Sequence, residues 1–149
     1  MSLLSTDIVS ENIESVKLIL SIPQVQRLKL RLLEKQDGYL VLEMPFNSEL
    51  ESIPGSGLVA HGAIMTVLDT ALGVAVCDQF KFTRSIATLD LRVDYFEKPK
   101  AFSSIIVKTR CLKVTNQIVF VQGDVYCKDW PSPVAHGVAT FSHSELPCQ

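Results

Sequence analysis

The sequence predicts an α+β protein in which an antiparallel sheet wraps around one long hydrophobic helix. The segment 58–77 is almost continuously apolar over twenty residues, with a single carboxylate, Asp69, near its middle. Four segments rich in β-branched residues follow it and are separated by short turn sequences. A short helical pattern and a hairpin pattern precede it. The predicted order is therefore helix, two strands, long helix and four strands.

The size and charge of the chain restrict its class. With 149 residues, the chain suits one domain, and we expect a single domain over 1–149. The net charge of -2 gives no reason to expect nucleic acid or an anionic membrane surface as a partner. The four cysteines form no Cys-x-x-Cys pair, and the N-terminus carries no signal-peptide pattern. We therefore expect reduced thiols and a cytoplasmic location.

The first half of the chain predicts a short helix and a hairpin. Residues 10–21 form an amphipathic pattern that should end before Pro23, because proline cannot continue a helix. The dipeptide Asp37-Gly38 favours a tight turn between strands over 28–34 and 39–44. A loop rich in Ser, Pro and Gly follows these strands.

The long apolar segment predicts a helix over 61–79. Its apolar residues recur at i, i+3, i+4 and i+7 and form one broad face: Ile64, Val67, Leu68, Ala71, Leu72 and Ala75. About 20 apolar residues would also span a bilayer, but an aspartate at the centre of a span costs roughly 2.5–3.5 kcal/mol. We therefore interpret the segment as a buried core helix. The strands predicted after it cover 85–96, 102–114, 117–127 and 134–142.

A second stripe on this helix carries the candidate chemistry. Gly62, Thr66, Asp69 and Gly73 are spaced four, three and four residues apart, so they lie roughly on one line. Small residues leave room for a ligand to approach the carboxylate, and a glycine in the first turn exposes free backbone N–H groups. This arrangement suits an oxyanion that develops on an acyl carbonyl. Alternatively, Asp69 bonds to neighbouring hydroxyl or backbone groups and only shapes the core.

Four stretches, "GAIMTVLDTALGVAV", "ATLDLRVDYFEKP", "VFVQGDVY" and "PVAHGVATF", resemble the hotdog-fold thioesterases of the phenylacetate-pathway (PaaI-like) type. That group belongs to the 4-hydroxybenzoyl-CoA thioesterase superfamily. The resemblance runs from "IPQVQRL" to "VATF" and covers nearly the whole chain. It implies the hotdog fold and a homodimer or homotetramer with active sites at the subunit interface. It also implies hydrolysis of acyl-CoA thioesters without a metal or redox cofactor.

The resemblance assigns roles to individual residues. Asp69 matches the family's helix carboxylate, which acts as general base or nucleophile. Thr88 lies where related enzymes place a hydroxyl that positions the attacking water. The family's His-Gly-Gly tripeptide precedes the helix, and here its positions hold Ala60, His61 and Gly62. Because a backbone N–H survives a change of side chain, the N–H groups at His61 and Gly62 remain the expected oxyanion site.

The departures from His-Gly-Gly keep other functions open. The histidine is missing, and Pro54 stands near the place of a loop asparagine, so side chains that hold the loop or touch the thioester in relatives are absent. A non-catalytic acyl-CoA-binding module is therefore one alternative. Another is a hotdog acyl-CoA or acyl-carrier-protein dehydratase or hydratase, although the Gly-Asp-x-Asn-Pro-x-His pattern of such enzymes is absent. Aromatic, short-chain and medium-chain acyl groups all fit the predicted apolar groove.

Other polar side chains are weaker candidates. Histidine can act as a general base near neutral pH, but at position 61 we expect the ring to pack or cap at the helix start. His136 and His143 are seven residues apart on the last strand and should face opposite sides, so we expect no metal site. Cys77 has no paired histidine in view, and we interpret it as a core residue. Three cationic residues are candidates for contact with the phosphates of coenzyme A: Arg84, Lys98 and Lys100.

Overall fold

The structure, a computed structural model of the chain, describes residue 19 and residues 21–36 and 39–145. The elements are α1 (Pro23–Leu28), β1 (Arg31–Gln36), β2 (Tyr39–Met44), a 3-10 turn (Ser48–Leu50), α2 (His61–Gln79), β3 (Arg84–Tyr95), β4 (Ile105–Val114), β5 (Ile118–Cys127) and β6 (Pro133–Glu145). The bounds of α2 are those that the apolar periodicity predicts. The ends of the last four strands differ from the predicted ends by three residues or fewer.

The six strands form one antiparallel sheet in the order β1-β2-β4-β5-β6-β3. Helix α2 packs against strands β2 to β6. This arrangement, an antiparallel sheet around a central hydrophobic helix, is the hotdog fold, and the predicted fold class is confirmed. Strands β1 and β3 are the two edges of the sheet within the described residues.

The N-terminal helix differs from the prediction. The helix expected over 10–21 lies outside the described residues, apart from Ile19 and Ser21. Helix α1 instead begins at Pro23, before which the predicted helix is expected to end. Proline is tolerated in the first turn because its missing N–H would have no intrahelical acceptor there, and its fixed φ suits a helix. Helix α1 is anchored by the buried side chains of Val25 and Leu28.

Strands β1 and β2 form the predicted hairpin. Gln36 pairs with Tyr39, so two residues join the strands, as the Asp37-Gly38 turn predicts. Those two turn residues lie outside the described part of the chain. Strand β2 pairs with β4 on its other side and is buried, whereas the edge strand β1 is mostly exposed.

Helix α2 buries the apolar face that its sequence predicts, because all six of those residues are at most 6% exposed. Leu68 makes the closest approach to the sheet, over Gly123 of β5 and Gly137 of β6, which pair with each other. A β-carbon at Gly137 would lie 2.3 Å from a Leu68 methyl carbon. Glycine at this position therefore allows the helix to lie close to the sheet.

Helix α2 is also long and apolar enough to cross a membrane by length and composition. Half of its most apolar window is buried inside the fold. That burial against the sheet favours the interpretation of α2 as a core helix.

Candidate active site

The stripe of small and polar residues on α2 faces the edge strand β3. Three positions show this. His61, beside the stripe, contacts Tyr95, and Asp69 contacts Thr88. A β-carbon at Gly73 would lie 3.7 Å from the side chain of Ile86 and 3.6 Å from that of Phe141 in β6. The start of α2 therefore lies beside the C-terminal end of β3, and the helix and the strand run in opposite directions. Asp69 lies between the two ends of this line.

The carboxylate of Asp69 meets the hydroxyl of Thr88. Thr88 Oγ1 donates a hydrogen bond to Asp69 Oδ1 over 3.0 Å. The neighbouring hydroxyls of Thr66 and Thr70 do not compete, because each donates to a backbone carbonyl one turn earlier in α2. Asp69 is half-buried, and its Oδ2 accepts no hydrogen bond from any described residue. One carboxylate oxygen is thus oriented by β3 while the other can accept a proton or attack.

A β-bulge in β3 turns Thr88 toward the helix. Strict alternation along the strand would place Thr88 on the face opposite to Leu91 and Tyr95. The pairing with β6 shifts between Thr88 and Asp90, so Leu89 is an extra residue and the alternation reverses. Leu89 alternates in sequence with polar residues like a core residue, but it is 56% exposed. As a result, Thr88 and Tyr95 both face α2.

The first turn of α2 has free backbone donors. Its N-cap residue is Ala60, which is extended at φ -64 and ψ 144 and has no side chain that can cap. The N–H groups of Ala63 and Ile64 donate to the Ala60 carbonyl, whereas those of His61 and Gly62 have no acceptor among the described residues. A β-carbon at Gly62 would meet nothing within 4 Å, so the space beside the turn is open. The turn can therefore stabilise a developing oxyanion.

The side chain of His61 packs rather than caps. Its ring stacks on that of Tyr95 with centroids 4.2 Å apart and planes inclined by 11°. The Tyr95 hydroxyl also donates to the backbone carbonyl of His61 over 3.1 Å. Burial raises the pKa of Tyr95 above the usual tyrosine value, which itself lies well above neutral pH, so this hydroxyl is protonated. Tyr95 is not among the residues that the sequence predicts for the site, because nothing local indicates which helix residue a tyrosine at a strand end will contact.

Glu51 holds the loop that leads into α2. Its carboxylate accepts hydrogen bonds from the N–H groups of Gly55 and Gly57 over 2.5 and 2.9 Å. Both glycines have positive φ, and a β-carbon at Gly57 would lie 2.7 Å from the ring of Phe102. Pro54 lies within the turn that these bonds enclose. Glu51 is not among the predicted site residues either, and the spacing Glu-x-x-x-Gly-x-Gly before the helix is the signal that could have indicated it.

The two histidines of β6 lie apart from this site and from each other. His136 Nδ1 lies 2.7 Å from a carboxylate oxygen of Asp124, on the sheet face opposite to α2. His143 is buried, with Nε2 2.9 Å from the carbonyl oxygen of Thr115. In the part of the chain that the structure describes, no group of three or more His, Cys, Asp or Glu residues could hold a metal ion.

The buried Cys77 and the half-buried Cys111 are poorly suited to nucleophilic chemistry. Burial, with a smaller contribution from the charge of Asp78, raises the pKa of Cys77 and of Cys111 to about 11. Only a small fraction of either thiol is ionised at neutral pH, and the thiolate is the nucleophilic form. Cys77, Cys111 and Cys127 are all free of disulfides.

The cationic residues considered for coenzyme A phosphates do not form one cluster. Arg84 begins the twelve-residue strand β3, whereas Lys98 and Lys100 follow its other end. Arg84 contacts His143, and the ammonium of Lys100 lies 3.7 Å above the ring of Trp130. Within one chain, a single phosphate group therefore cannot contact both Arg84 and the two lysines.

Known proteins resemble this chain in sequence and in fold. The profile of the family described as "Thioesterase superfamily" matches residues 56–131. A solved protein from Pseudomonas aeruginosa is 30% identical with a TM-score of 0.76, over 87% of this chain and 96% of that one. Thioesterase HI1161 from Haemophilus influenzae shares the fold at 13% identity and a TM-score of 0.78, over 89% and 90% of the two chains. A thioesterase family protein from Silicibacter pomeroyi shares the fold at 19% identity and a TM-score of 0.78, over 91% of this chain and 99% of that one. No curated protein sequence matches the chain.

Proposed function

This chain belongs to the thioesterase superfamily, and we propose that it hydrolyses acyl-CoA thioesters to the free acid and coenzyme A. The observation that carries the proposal is the Asp69 carboxylate, half-buried on the open face of α2 and oriented through one oxygen by Thr88. Asp69 acts as general base for water or as nucleophile, and Thr88 positions the carboxylate and the attacking water. The N–H groups of His61 and Gly62 receive the carbonyl oxygen.

The family resemblance favours a site shared between two subunits. Gly62 and Asp69 are seven positions apart, which corresponds to about 10 Å along a helix axis. An oxyanion donor lies about 3 Å from the carbonyl oxygen, and a nucleophile lies about 3–3.5 Å from the carbonyl carbon, so a carboxylate nucleophile on the same helix would be too far away, whereas a base that acts through water would not. In keeping with the resemblance, we propose that the oxyanion donors belong to one subunit and Asp69 with Thr88 to its partner.

The edge strand β3 supplies the surface for such a dimer. It is twelve residues long and pairs with β6 on one side only, among the described residues. Long exposed edges invite pairing with another strand. Antiparallel pairing of two copies of β3 centred near Arg92 would bring the Tyr95 end of one strand opposite the Thr88 end of the other. We propose a homodimer, alone or within a homotetramer, in which the start of each α2 faces the partner subunit's Asp69.

The proposed reaction uses the chain's own groups. Asp69 supplies the base or the nucleophile, and backbone N–H groups supply the electrostatic stabilisation, so we propose no metal or redox cofactor. Acyl-CoA is the proposed partner, nucleic acid and membranes are not, and the free thiols of the described residues accord with a cytoplasmic location.

The test is thiol release from a panel of aryl-, short-chain and medium-chain acyl-CoA substrates, with Asp69→Asn beside the wild type. We expect turnover of at least one substrate and loss of most of it in Asp69→Asn, with the dimer intact by light scattering. Undiminished turnover in Asp69→Asn would refute the assignment of Asp69. In a single turnover in ¹⁸O-labelled water, label in Asp69 itself would indicate an acyl-enzyme anhydride that water opens at the Asp69 carbonyl carbon.

A non-catalytic acyl-CoA-binding module is the second candidate. It is favoured by the replacement of the family's His-Gly-Gly with Ala60, His61 and Gly62. The same panel distinguishes the two, because a binding module would bind acyl-CoA saturably in calorimetry and release no thiol.

A further inference from the structure

The contact between Tyr95 and His61 acts on one particular peptide unit. The Tyr95 hydroxyl donates to the carbonyl oxygen of His61 over 3.1 Å. That carbonyl and the N–H of Gly62 belong to the same peptide group, which is planar and rigid, with the two groups pointing in opposite directions. Holding the oxygen of His61 therefore fixes the direction of the Gly62 N–H. A hydrogen bond to the carbonyl also polarises the peptide and strengthens its N–H as a donor.

Apart from its own helical hydrogen bonds and the bond from Thr66 to the Gly62 carbonyl, the first turn of α2 has few other restraints. Its N-cap, Ala60, has no capping side chain, and the backbone N–H of Ala60 is tied to the Leu50 carbonyl over 2.9 Å. A β-carbon at Gly62 would meet nothing, so no side-chain packing orients this residue. Helix ends with free donors fray readily. Catalysis is sensitive to such freedom, because a misplacement of about 1 Å can cost about 100-fold in rate.

The aromatic stack provides a second restraint on the same residue. The rings of His61 and Tyr95 are nearly parallel, with centroids 4.2 Å apart. Tyr95 is the last residue of β3, a strand held to β6 along its length, so its ring is attached to the sheet. The sheet thus restrains the first residue of α2 through both its side chain and its backbone.

We propose that Tyr95 is a positioning residue for the oxyanion site, because it holds the carbonyl end of the His61–Gly62 peptide whose N–H end receives the thioester oxygen. This inference rests on the proposed function and deepens it. The Tyr95 hydroxyl is a donor across the neutral range, because the pKa of tyrosine lies near 10 and burial raises it here. In this role Tyr95 acts through the backbone of its neighbour.

The test is Tyr95→Phe, which keeps the ring stack and removes the hydroxyl. Tyr126→Phe is the matched control, since Tyr126 is a half-buried strand tyrosine on the opposite face of the sheet, beside Lys108. Loss of one neutral hydrogen bond that acts on the transition state should lower kcat by about three- to tenfold. We expect KM to stay within about twofold of the wild type in Tyr95→Phe, and both constants to be unchanged in Tyr126→Phe.

A wild-type kcat in Tyr95→Phe, or an equal fall in both variants, would overturn the inference. If the wild type hydrolyses no thioester, the proposed function fails, and the ¹H–¹⁵N resonance of Gly62 still decides whether Tyr95 holds this peptide. That resonance should shift in Tyr95→Phe and not in Tyr126→Phe. An unshifted Gly62 resonance in Tyr95→Phe would overturn the inference irrespective of activity.

Discussion

Ala60 offers a direct test of the oxyanion donors. In the variant Ala60→Thr, a hydroxyl occupies an N-cap position whose extended backbone already has the capping conformation. An N-cap hydroxyl accepts from the N–H of the second or third helical residue, here Gly62 or Ala63. Ala63 already donates to the Ala60 carbonyl over 3.0 Å, whereas the Gly62 N–H is unpaired among the described residues. Gly62 is therefore the expected partner of the new hydroxyl.

The same hydrogen bond should stabilise the fold and slow the reaction. An N-cap side chain contributes about 0.5–2 kcal/mol relative to alanine. For a chain of this size, each kcal/mol corresponds to about 2–4 °C in Tm. Removing one oxyanion donor costs about 10²–10³ in kcat. If the substrate carbonyl instead displaces the hydroxyl from Gly62, the reaction loses only the capping energy, and about 1 kcal/mol corresponds to about a fivefold decrease in rate. We therefore expect kcat to decrease by a factor between these two values, while Tm rises.

Ala60→Val is the matched control, because valine has the shape of threonine without the hydroxyl. Thermal unfolding and thiol release would be measured on both variants and the wild type. A threonine variant that is more stable and slower than the valine variant would support the oxyanion assignment. If threonine raised Tm but left kcat equal to that of valine, the Gly62 N–H would not be the catalytic donor.

Two further predictions concern the carboxylate and the core. Thr88→Val removes the 3.0 Å hydrogen bond to Asp69, and since hydrogen bonds to charged groups are worth about 1.5–3 kcal/mol, kcat should fall about 10- to 100-fold. Thr140→Val, on the opposite face of the sheet, is its control, and an unchanged rate in Thr88→Val would remove Thr88 from the site. The raised pKa of Cys77 and Cys111 predicts that iodoacetamide labels them slowly at pH 8 and progressively faster toward pH 11. Labelling at the rate of a free thiol at pH 8 would contradict their burial.

The sequence predicts the central helix because one physical signal determines it. Six apolar residues with helical spacing fix its face, and all six are buried in the structure. The same pattern places Asp69 off that face, on the stripe that meets β3. Pro23 is misread because proline permits a helix start as well as a helix stop, and the choice depends on whether the following residues find a core to pack against.

The partners of the site residues are harder to predict. The face of the sheet on which each β3 side chain lies depends on a single bulge at Leu89. Without that bulge, Thr88 and Tyr95 would lie on opposite faces. The sequence of β3 contains no glycine or other local mark of that bulge. The contact between Tyr95 and His61 likewise joins residues 34 positions apart, and only the assembled sheet and helix bring them together.

The packing of Leu68 over Gly123 and Gly137 restricts which substitutions this enzyme can tolerate. Leu68 precedes Asp69, so its position between two paired glycines sets the rotation of α2 and hence the direction of the carboxylate. Each residue of a helix is turned by about 100° from the last, so a small rotation moves Asp69 away from Thr88. Selection for catalysis would therefore constrain two sheet positions that touch no substrate. Libraries aimed at new acyl specificity should keep both glycines, or vary them only together with Leu68.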